Sequence, residues 1–293
     1  MHTKQARLFG VLGDPVDHSL SPAMHNAAFA AAKLPYLYLR YHVPIAALAG
    51  ALDEARRLGM GGLNLTVPLK EAVLPFLDTI TAEARRIGAV NTVLFQRGRL
   101  VGDNTDGRGF LAALGGRVRL SGAHAIVIGA GGSARAVAAS LHAAGVRQLT
   151  IANRTIARAR DLASRYKGAA VPLDQLGDPD LLADAALVVN TTSVGLGDAK
   201  LGIHAKATPR SSLFVDLVYG ARPTAFLAAA ARAGRPTLDG AAMLLHQGAL
   251  AFTAWTGRPA PLEAMANALR NAGLTLTRPN RAITVRSRRP PTP

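Results

Sequence analysis

The sequence predicts an α/β protein of two sheet-bearing halves, closed by C-terminal helices. Three observations predict it. Short apolar runs alternate with helical stretches, the order that covers parallel strands with helices. One strand-to-helix junction, Gly129-Ala130-Gly131-Gly132-Ser133-Ala134-Arg135-Ala136, is glycine-rich, whereas the first half carries no such loop. The length of 293 residues suits two domains of ordinary size, each with its own core.

The first half reads in order. Residues 7–13 form an apolar strand, followed by a polar loop from Asp14 to Ser21. Ser21 reads as the cap of a helix whose first turn holds Pro22. Tyr36 to Val43 reads as a second strand, and Pro44 opens the next helix. A third strand, 61–67, ends at Pro68, and helical segments follow to about Ile87. Residues 90–94 and 99–101 flank Gly98 as a hairpin.

The second half spans 107 to about 238. Strands near 125–128, 148–152, 186–190 and 213–216 alternate with helices, which implies a doubly wound parallel sheet. Ala125-Ile126-Val127-Ile128 leads into the glycine-rich turn, and an Ala-rich helix follows to about Ala144. Strand, glycine turn and helix together mark a dinucleotide site of the Rossmann kind. Gly129 permits the tight turn, Gly131 admits a pyrophosphate, and Ala134 takes the third small position. The free N–H groups of the helix then face the phosphates. An NAD site usually ends its second strand with Asp or Glu on the ribose 2′-hydroxyl. Here the chain reads Asn153-Arg154-Thr155, then Arg158, so two guanidiniums stand ready for a 2′-phosphate. The expected cofactor is NADP. After Asp239-Gly240 come helices at about 241–256 and 261–272, parted by Gly257-Arg258-Pro259.

Composition narrows the function classes. With no cysteine there is no disulfide, thiolate metal site or cysteine nucleophile. His18 and His25, seven residues apart across a loop and helix, lack ligand spacing, so no metal is expected; a hydrogen-bonded structural role is. The N-terminus lacks a signal-peptide core, and no apolar run reaches the ~18 residues of a spanning helix, so a cytoplasmic protein is expected. The net charge of +16 comes mostly from arginine. The Arg/Pro-rich stretch 278–293 reads as a disordered tail. No zinc finger, RNA-binding aromatic signature or helix-turn-helix accompanies the charge, so no specific nucleic-acid or membrane partner is expected. Trp255, among Ala251 and Phe252, reads as core. Ser133 has no neighbouring histidine and reads as a helix cap touching the cofactor.

Polar clusters fill the first half. Ser19 and Ser21 present two hydroxyls two residues apart. Asn64 and Thr66 alternate with Leu65 and Val67 on one strand face, and Lys70 follows. Asn91 starts the hairpin, and Asp103-Asn104-Thr105-Asp106-Gly107 leads into the cofactor half. Such groups read hydroxyls, while a lysine suits a carboxylate, a keto oxygen or a proton transfer. Alone, Lys70 is a surface lysine at a helix start and Asp106 a helix cap.

Together these segments resemble the shikimate dehydrogenase family, in order, from about residue 7 to about 273. The resemblance rests on His18 to Pro22, Asn64 to Lys70, Gly88 to Thr92, Asp103 to Gly107, Gly129 to Ala136 and Asn153 to Thr155. It continues through Asn190 to Gly195, Asp216 to Tyr219, and Asp239-Gly240 with Met243, Leu244 and Gln247. It implies reversible NADPH-dependent reduction of 3-dehydroshikimate to shikimate in aromatic amino-acid biosynthesis. It also implies that Ser19 and Ser21 bind the substrate carboxylate. Asn64, Thr66, Asn91 and Gln247 would bind ring hydroxyls, with Tyr219 nearby. Lys70 and Asp106 would be the catalytic pair, both also touching substrate. Gly129, Ala130, Gly131, Gly132, Ser133, Ala134, Asn153, Arg154, Thr155, Arg158, Thr191 and Ser193 would hold the cofactor, with Leu217 and Gly240 near its nicotinamide. Leu69 and Leu217 depart from the family's usual aromatic or His and Met; neither change removes a reacting group.

The implied domains are 1–106 with 240–277 for substrate and 107–239 for cofactor. The chain passes between them near Asp106 and Asp239-Gly240, so a hinged cleft is expected. Two alternatives stand beside this reading: a quinate/shikimate dehydrogenase using NAD or both cofactors, and a non-catalytic cofactor-binding regulator. Monomer and homodimer both remain open.

Overall fold

The computed structural model describes residues 6–194 and 201–276. Gly195 and the tail from 278 lie outside them. The first half contains β1 (Arg7–Gly13), α1 (Ser21–Ala31), β2 (Tyr36–His42), α2 (Leu48–Arg57), β3 (Gly62–Leu65) and α3 (Leu69–Ala72). It continues through β4 (Thr79–Ile80), α4 (Ala82–Ile87), β5 (Thr92–Gln96), β6 (Arg99–Asp103) and α5 (Asp106–Leu114). The second half contains β7 (His124–Ile128), α6 (Gly132–Ala143), β8 (Gln148–Asn153), α7 (Ile156–Ser164), β9 (Ala169–Pro172) and α8 (Pro179–Leu182). There follow β10 (Ala185–Asn190), β11 (Leu213–Asp216), α9 (Ala225–Arg232), β12 (Thr237–Leu238), α10 (Ala241–Thr256) and α11 (Leu262–Asn271).

The strands form two six-stranded sheets. The first, in order β2-β1-β3-β5-β6-β4, is mixed: β5 runs antiparallel to both β3 and β6. The second, β12-β11-β10-β7-β8-β9, is wholly parallel. From β7 the chain winds outward through β8 and β9, then returns to β10 on the other side. That reversal makes the β7/β10 junction a topological switch point, where open α/β sheets bind ligands. The fold is therefore the expected two-domain α/β architecture.

Buried Leu and Phe on the helices pack both sheet faces, each side chain contributing roughly 1.5–3 kcal/mol. On the second sheet α6 is rich in Gly, Ala and Ser, and Ala134, Ala136, Ala138 and Ala139 are fully buried. Small side chains let α6 lie close to the sheet on one side and to α5 on the other. At the α5 contact a Cβ on Gly107 would sit 2.1 Å from Ser140 Oγ. The C-terminal helices return to the first sheet: Leu244, Phe252, Met265 and Leu269 share a core with Phe9, Met24, Phe29 and Tyr38.

Several local expectations are corrected. Ser21 is the first helical residue of α1, not its cap; Leu20 holds that position without a side-chain bond. Pro44 precedes a short 3₁₀ turn, Ile45–Ala47, before α2 begins. The third strand stops at Leu65. The two-residue strands β4 and β12 and the Pro-ended β9 were not foreseen; all three lie on sheet edges, where a proline costs no ladder bond.

Candidate active site

A cavity of about 170 Å³ opens between the halves. Its walls include Ser19, Ser21, Asn64, Thr66, Lys70, Asn91, Asp106, Tyr219 and Gln247, the full set expected to touch substrate. Ser133, Leu217 and Gly240 close the side nearest the glycine-rich turn.

Lys70 leaves the first turn of α3 and points at Asp106, the first residue of α5. Nζ lies 2.6 Å from Asp106 Oδ2, with the two side chains only 12% and 5% exposed. A pair this dry is short of water to neutralise it, so the remaining bonds matter. Asn91 Nδ2 donates to Asp106 Oδ1 at 2.7 Å. Lys70 Nζ also donates to Ser133 Oγ at 3.0 Å. Ser133 is thus not the cap of α6, which begins after Gly131 with no side-chain bond. Gly132 makes this approach possible: a Cβ there would sit 2.8 Å from Lys70 Cβ. Lys70 keeps one N–H direction for a ligand.

Asn64 shows how the hydroxyl-reading wall is held. Its Nδ2 donates to Asn91 O at 3.0 Å and to Thr92 Oγ1 at 3.1 Å. Its Oδ1 accepts from Tyr38 Oη at 2.8 Å. Both hydrogens and one lone pair are spent, so Asn64 offers a ligand only an acceptor. Tyr38, on β2, was missed by sequence reasoning. It is completely buried, and burial pushes its phenol well above the usual range, against a smaller lowering effect of the Ser21 side chain. Its ring stacks on His25 at 4.5 Å and 11°. Sequence offered one signal, an aromatic alternating with exposed Leu37 and Leu39. His25 itself is buried without a partner for either ring nitrogen, contrary to the expected hydrogen-bonded role. Burial drives its pKa down from 6.5 to about 3. Trp255 packs on Phe9 and His25, as core, and donates Nε1–H to Val93 O at 3.1 Å.

At the other end, Ser19 and Ser21 face the cavity with Tyr219, whose phenol is raised by burial and eased by bonds to Leu20 and Ser19. Gln247 Oε1 lies 3.4 Å from Asn91 Nδ2.

The glycine-rich turn lies at the switch point. Gly129 has φ +113°, where a side chain would be strained and a Cβ would strike Thr191 Oγ1 at 2.5 Å. Thr191 Oγ1 donates to Ile128 O at 2.7 Å, so it ties the two strand ends together. Nothing lies within 4 Å of a Cβ built on Gly131, so the start of α6 faces open space. Ala130 and Ala134 are buried behind it. At the end of β8, Asn153 Nδ2 donates to Thr155 O at 2.9 Å, and Thr155 caps α7 through its backbone only. Arg154 is exposed and makes no ion pair among the described residues. Arg158 Nη2 lies 3.3 Å from Glu71 Oε1, a half-exposed pair from the opposite half. Such pairs are worth at most about 1 kcal/mol, so Arg158 is readily drawn to a stronger anion. Ser193 is exposed, while Leu217 and Gly240 adjoin the cavity. An open helix start with an unpaired Arg154 among the described residues, an Arg158 held only by an exposed ion pair and no carboxylate on β8 fits a 2′-phosphorylated dinucleotide.

Comparison with known proteins agrees with this geometry. Residues 11–93 match the family model of the shikimate dehydrogenase substrate-binding domain. Residues 112–218 match that of shikimate/quinate 5-dehydrogenase, and 240–270 that of the shikimate 5′-dehydrogenase C-terminal domain. The chain is 44% identical over 273 residues to the shikimate dehydrogenase (NADP(+)) of Symbiobacterium thermophilum, covering 89% of this chain and 93% of that one. It is 46% identical over 279 residues to that of Moorella thermoacetica, covering 90% and 93%. The crystal structure of shikimate 5-dehydrogenase from Thermus thermophilus in complex with NADP(H) and shikimate superposes with a TM-score of 0.80 at 46% identity, covering 91% and 99%. Site geometry, family models and identity over nine-tenths of the length converge: the chain belongs to the shikimate dehydrogenase family.

Proposed function

We propose that this protein catalyses the reversible NADP-dependent interconversion of shikimate and 3-dehydroshikimate. The observation that carries this reading is the buried Lys70–Asp106 pair, set between a hydroxyl-reading wall and an open glycine-rich helix start. Bound NADP(H) supplies the hydride exchanged with C3 of the ring acid. The chain handles the oxygen and its proton. As a keto oxygen gains negative charge, Lys70 Nζ donates a hydrogen bond and then a proton to it. Asp106 holds the ammonium and the substrate hydroxyl in register, and Asn91 holds Asp106. Ser19 and Ser21 bind the carboxylate, Asn64, Thr66, Asn91 and Gln247 read ring hydroxyls, and Tyr219 stands nearby, beside Ser19.

On the cofactor side, Gly129 to Ala134 accept the pyrophosphate, and Thr191 and Ser193 border it. Asn153, Arg154, Thr155 and Arg158 hold the adenosine end, with both guanidiniums on the 2′-phosphate. Leu217 and Gly240 flank the nicotinamide. Residues 1–106 with 240–277 make the substrate domain, and 107–239 the cofactor domain. No helix among the described residues is long and apolar enough to cross a membrane. We place the protein in the cytoplasm, where NADPH is available.

Initial rates test the reading. Shikimate and quinate are each oxidised with NADP+ and with NAD+. Fast reduction of NADP+ by shikimate, with little turnover of quinate, is the expected result. Preference for NAD+ or quinate would move the chain to the catabolic or dual-cofactor branch. No turnover with any pair would leave a cofactor-binding regulator.

A further inference from the structure

The carboxylate end of the cavity presents hydroxyls and no free cation. Ser19, Ser21 and Tyr219 line it, and the one lining ammonium, Lys70, is neutralised by Asp106. A carboxylate carries a full charge that hydroxyls alone stabilise poorly in a half-dry site. The charge stands one layer further out. Arg40, on edge strand β2, donates from Nε to Ser19 O at 2.8 Å. Its guanidinium makes no ion pair among the described residues.

Ser19 O and the Leu20 N–H belong to one peptide unit. That unit is held by Arg40 at its oxygen, and its Leu20 backbone acts on the Tyr219 phenol, lowering its pKa. Drawing electron density toward the carbonyl makes the N–H a stronger donor, and hydrogen bonds in such a chain reinforce one another. Tyr219 feels the guanidinium: the Arg40 charge lowers its phenol pKa against the upward push of burial. A more acidic phenol is a better donor to an anion.

We infer that Arg40 is a specificity-determining residue that acts through the Ser19–Leu20 peptide and Tyr219 to favour a carboxylate-bearing ligand over a neutral one. It touches no reacting atom. The inference rests on the substrate reading above, because it assigns the carboxylate to this end of the cavity. Its physical content is a charge effect, distinct from the scaffold role of the same hydrogen bond. Removing the scaffold alone would harm every ligand alike.

The test compares shikimate with its methyl ester, in wild type, Arg40→Gln and Arg40→Lys. Binding is measured by calorimetry with NADP+ present, and turnover as kcat/KM at low and at high salt. Arg40→Gln should weaken shikimate about five- to tenfold, mainly in Kd and KM, and the ester less than about twofold, the scale of one partly screened charge. Arg40→Lys should recover most of the preference, since it restores the charge. The salt dependence for shikimate should flatten in Arg40→Gln and stay absent for the ester. Equal losses for acid and ester would reduce Arg40 to a scaffold and overturn the inference, as would no loss for either. Wild type that binds both ligands without oxidising shikimate would sink the proposed activity, and Arg40 would then be judged on the binding ratio. Wild type that binds neither would sink both.

Discussion

Asp106 Oδ2 lies 2.6 Å from Lys70 Nζ, although the two residues are 36 positions apart and stand on different helices. Neither helix needs the pair for its own stability. α3 is a single turn, and α5 is anchored by the packing of Phe110 and Leu114. A dry ion pair that packing does not require is costly to keep, so its place beside the cavity is the argument for chemistry.

Lys70→Ala should lower kcat by roughly 10²-fold or more, the scale of acid–base assistance. KM for shikimate should change much less than kcat. Steady-state rates with saturating NADP+ check this, and near-normal kcat would remove Lys70 from the reaction. Because Asp106 would be left buried with only the Asn91 bond, Lys70→Gln, whose amide can still donate to it, serves as the control for folding.

Arg154→Ala should raise KM for NADPH far more than KM for NADH, since only NADPH carries the 2′-phosphate. Loss of one guanidinium–phosphate contact corresponds to about 1.5–3 kcal/mol, roughly ten- to a hundredfold. Arg158→Ala should act in the same direction but more weakly, because Glu71 already engages that side chain. Equal effects on both cofactors would overturn the 2′-phosphate assignment.

Tyr38→Phe removes a fully buried hydroxyl that donates to Asn64 Oδ1. Asn64 then loses the partner that helps fix its amide plane, while both its hydrogens remain committed to Asn91 and Thr92. KM for shikimate should rise about five- to tenfold, the value of one buried hydrogen bond, with a smaller change in kcat. An unchanged KM would mean that the Asn91 carbonyl and Thr92 hold Asn64 unaided.

These examples show what a chain discloses locally and what it conceals. The turn from Gly129 to Ala134 was legible because strand, glycines and helix are contiguous, and each step has its own backbone demand. Alternation put Asn64 on one strand face with Thr66, but the roles of Lys70, Asn64 and Ser19 were legible only through the family's motifs. Tyr38 was not, because its role depends on β2 lying against β1 and facing β3 across it. Ser133 was taken for a cap because its helix-start position says nothing about Lys70, which approaches from another half. Nothing local marks Glu71, whose partners Arg135 and Arg158 lie in the other half of the chain, on α6 and α7. Edge strands such as β12 escape notice because two residues carry no period.

His25 gives a prediction in stability. Its ring is buried against Tyr38 and Trp255, and neither nitrogen has a partner. The folded pKa is about 3 against an ordinary value of 6.5, so the unfolded chain takes up the proton first as pH falls. Stability linked to the neutral ring is complete above pH 6.5 and is lost progressively as pH drops toward 3, by up to about 1.4 kcal/mol per unit. His25→Phe keeps the stack and cannot titrate. Urea unfolding of both proteins at pH 7.5, 6.5, 5.5 and 4.5 separates this group from the carboxylates, which titrate in both. The stability difference between variant and wild type should be constant above pH 6.5 and then move in favour of the variant with each step down. His25→Leu guards against overpacking beside Gly248, where His25 Nε2 is 3.4 Å from a Cβ built on that glycine. A difference that stays flat to pH 4.5 in both variants would mean that the native protein accepts the proton on His25 without penalty, and the ring would not be a sealed, neutral support of Tyr38.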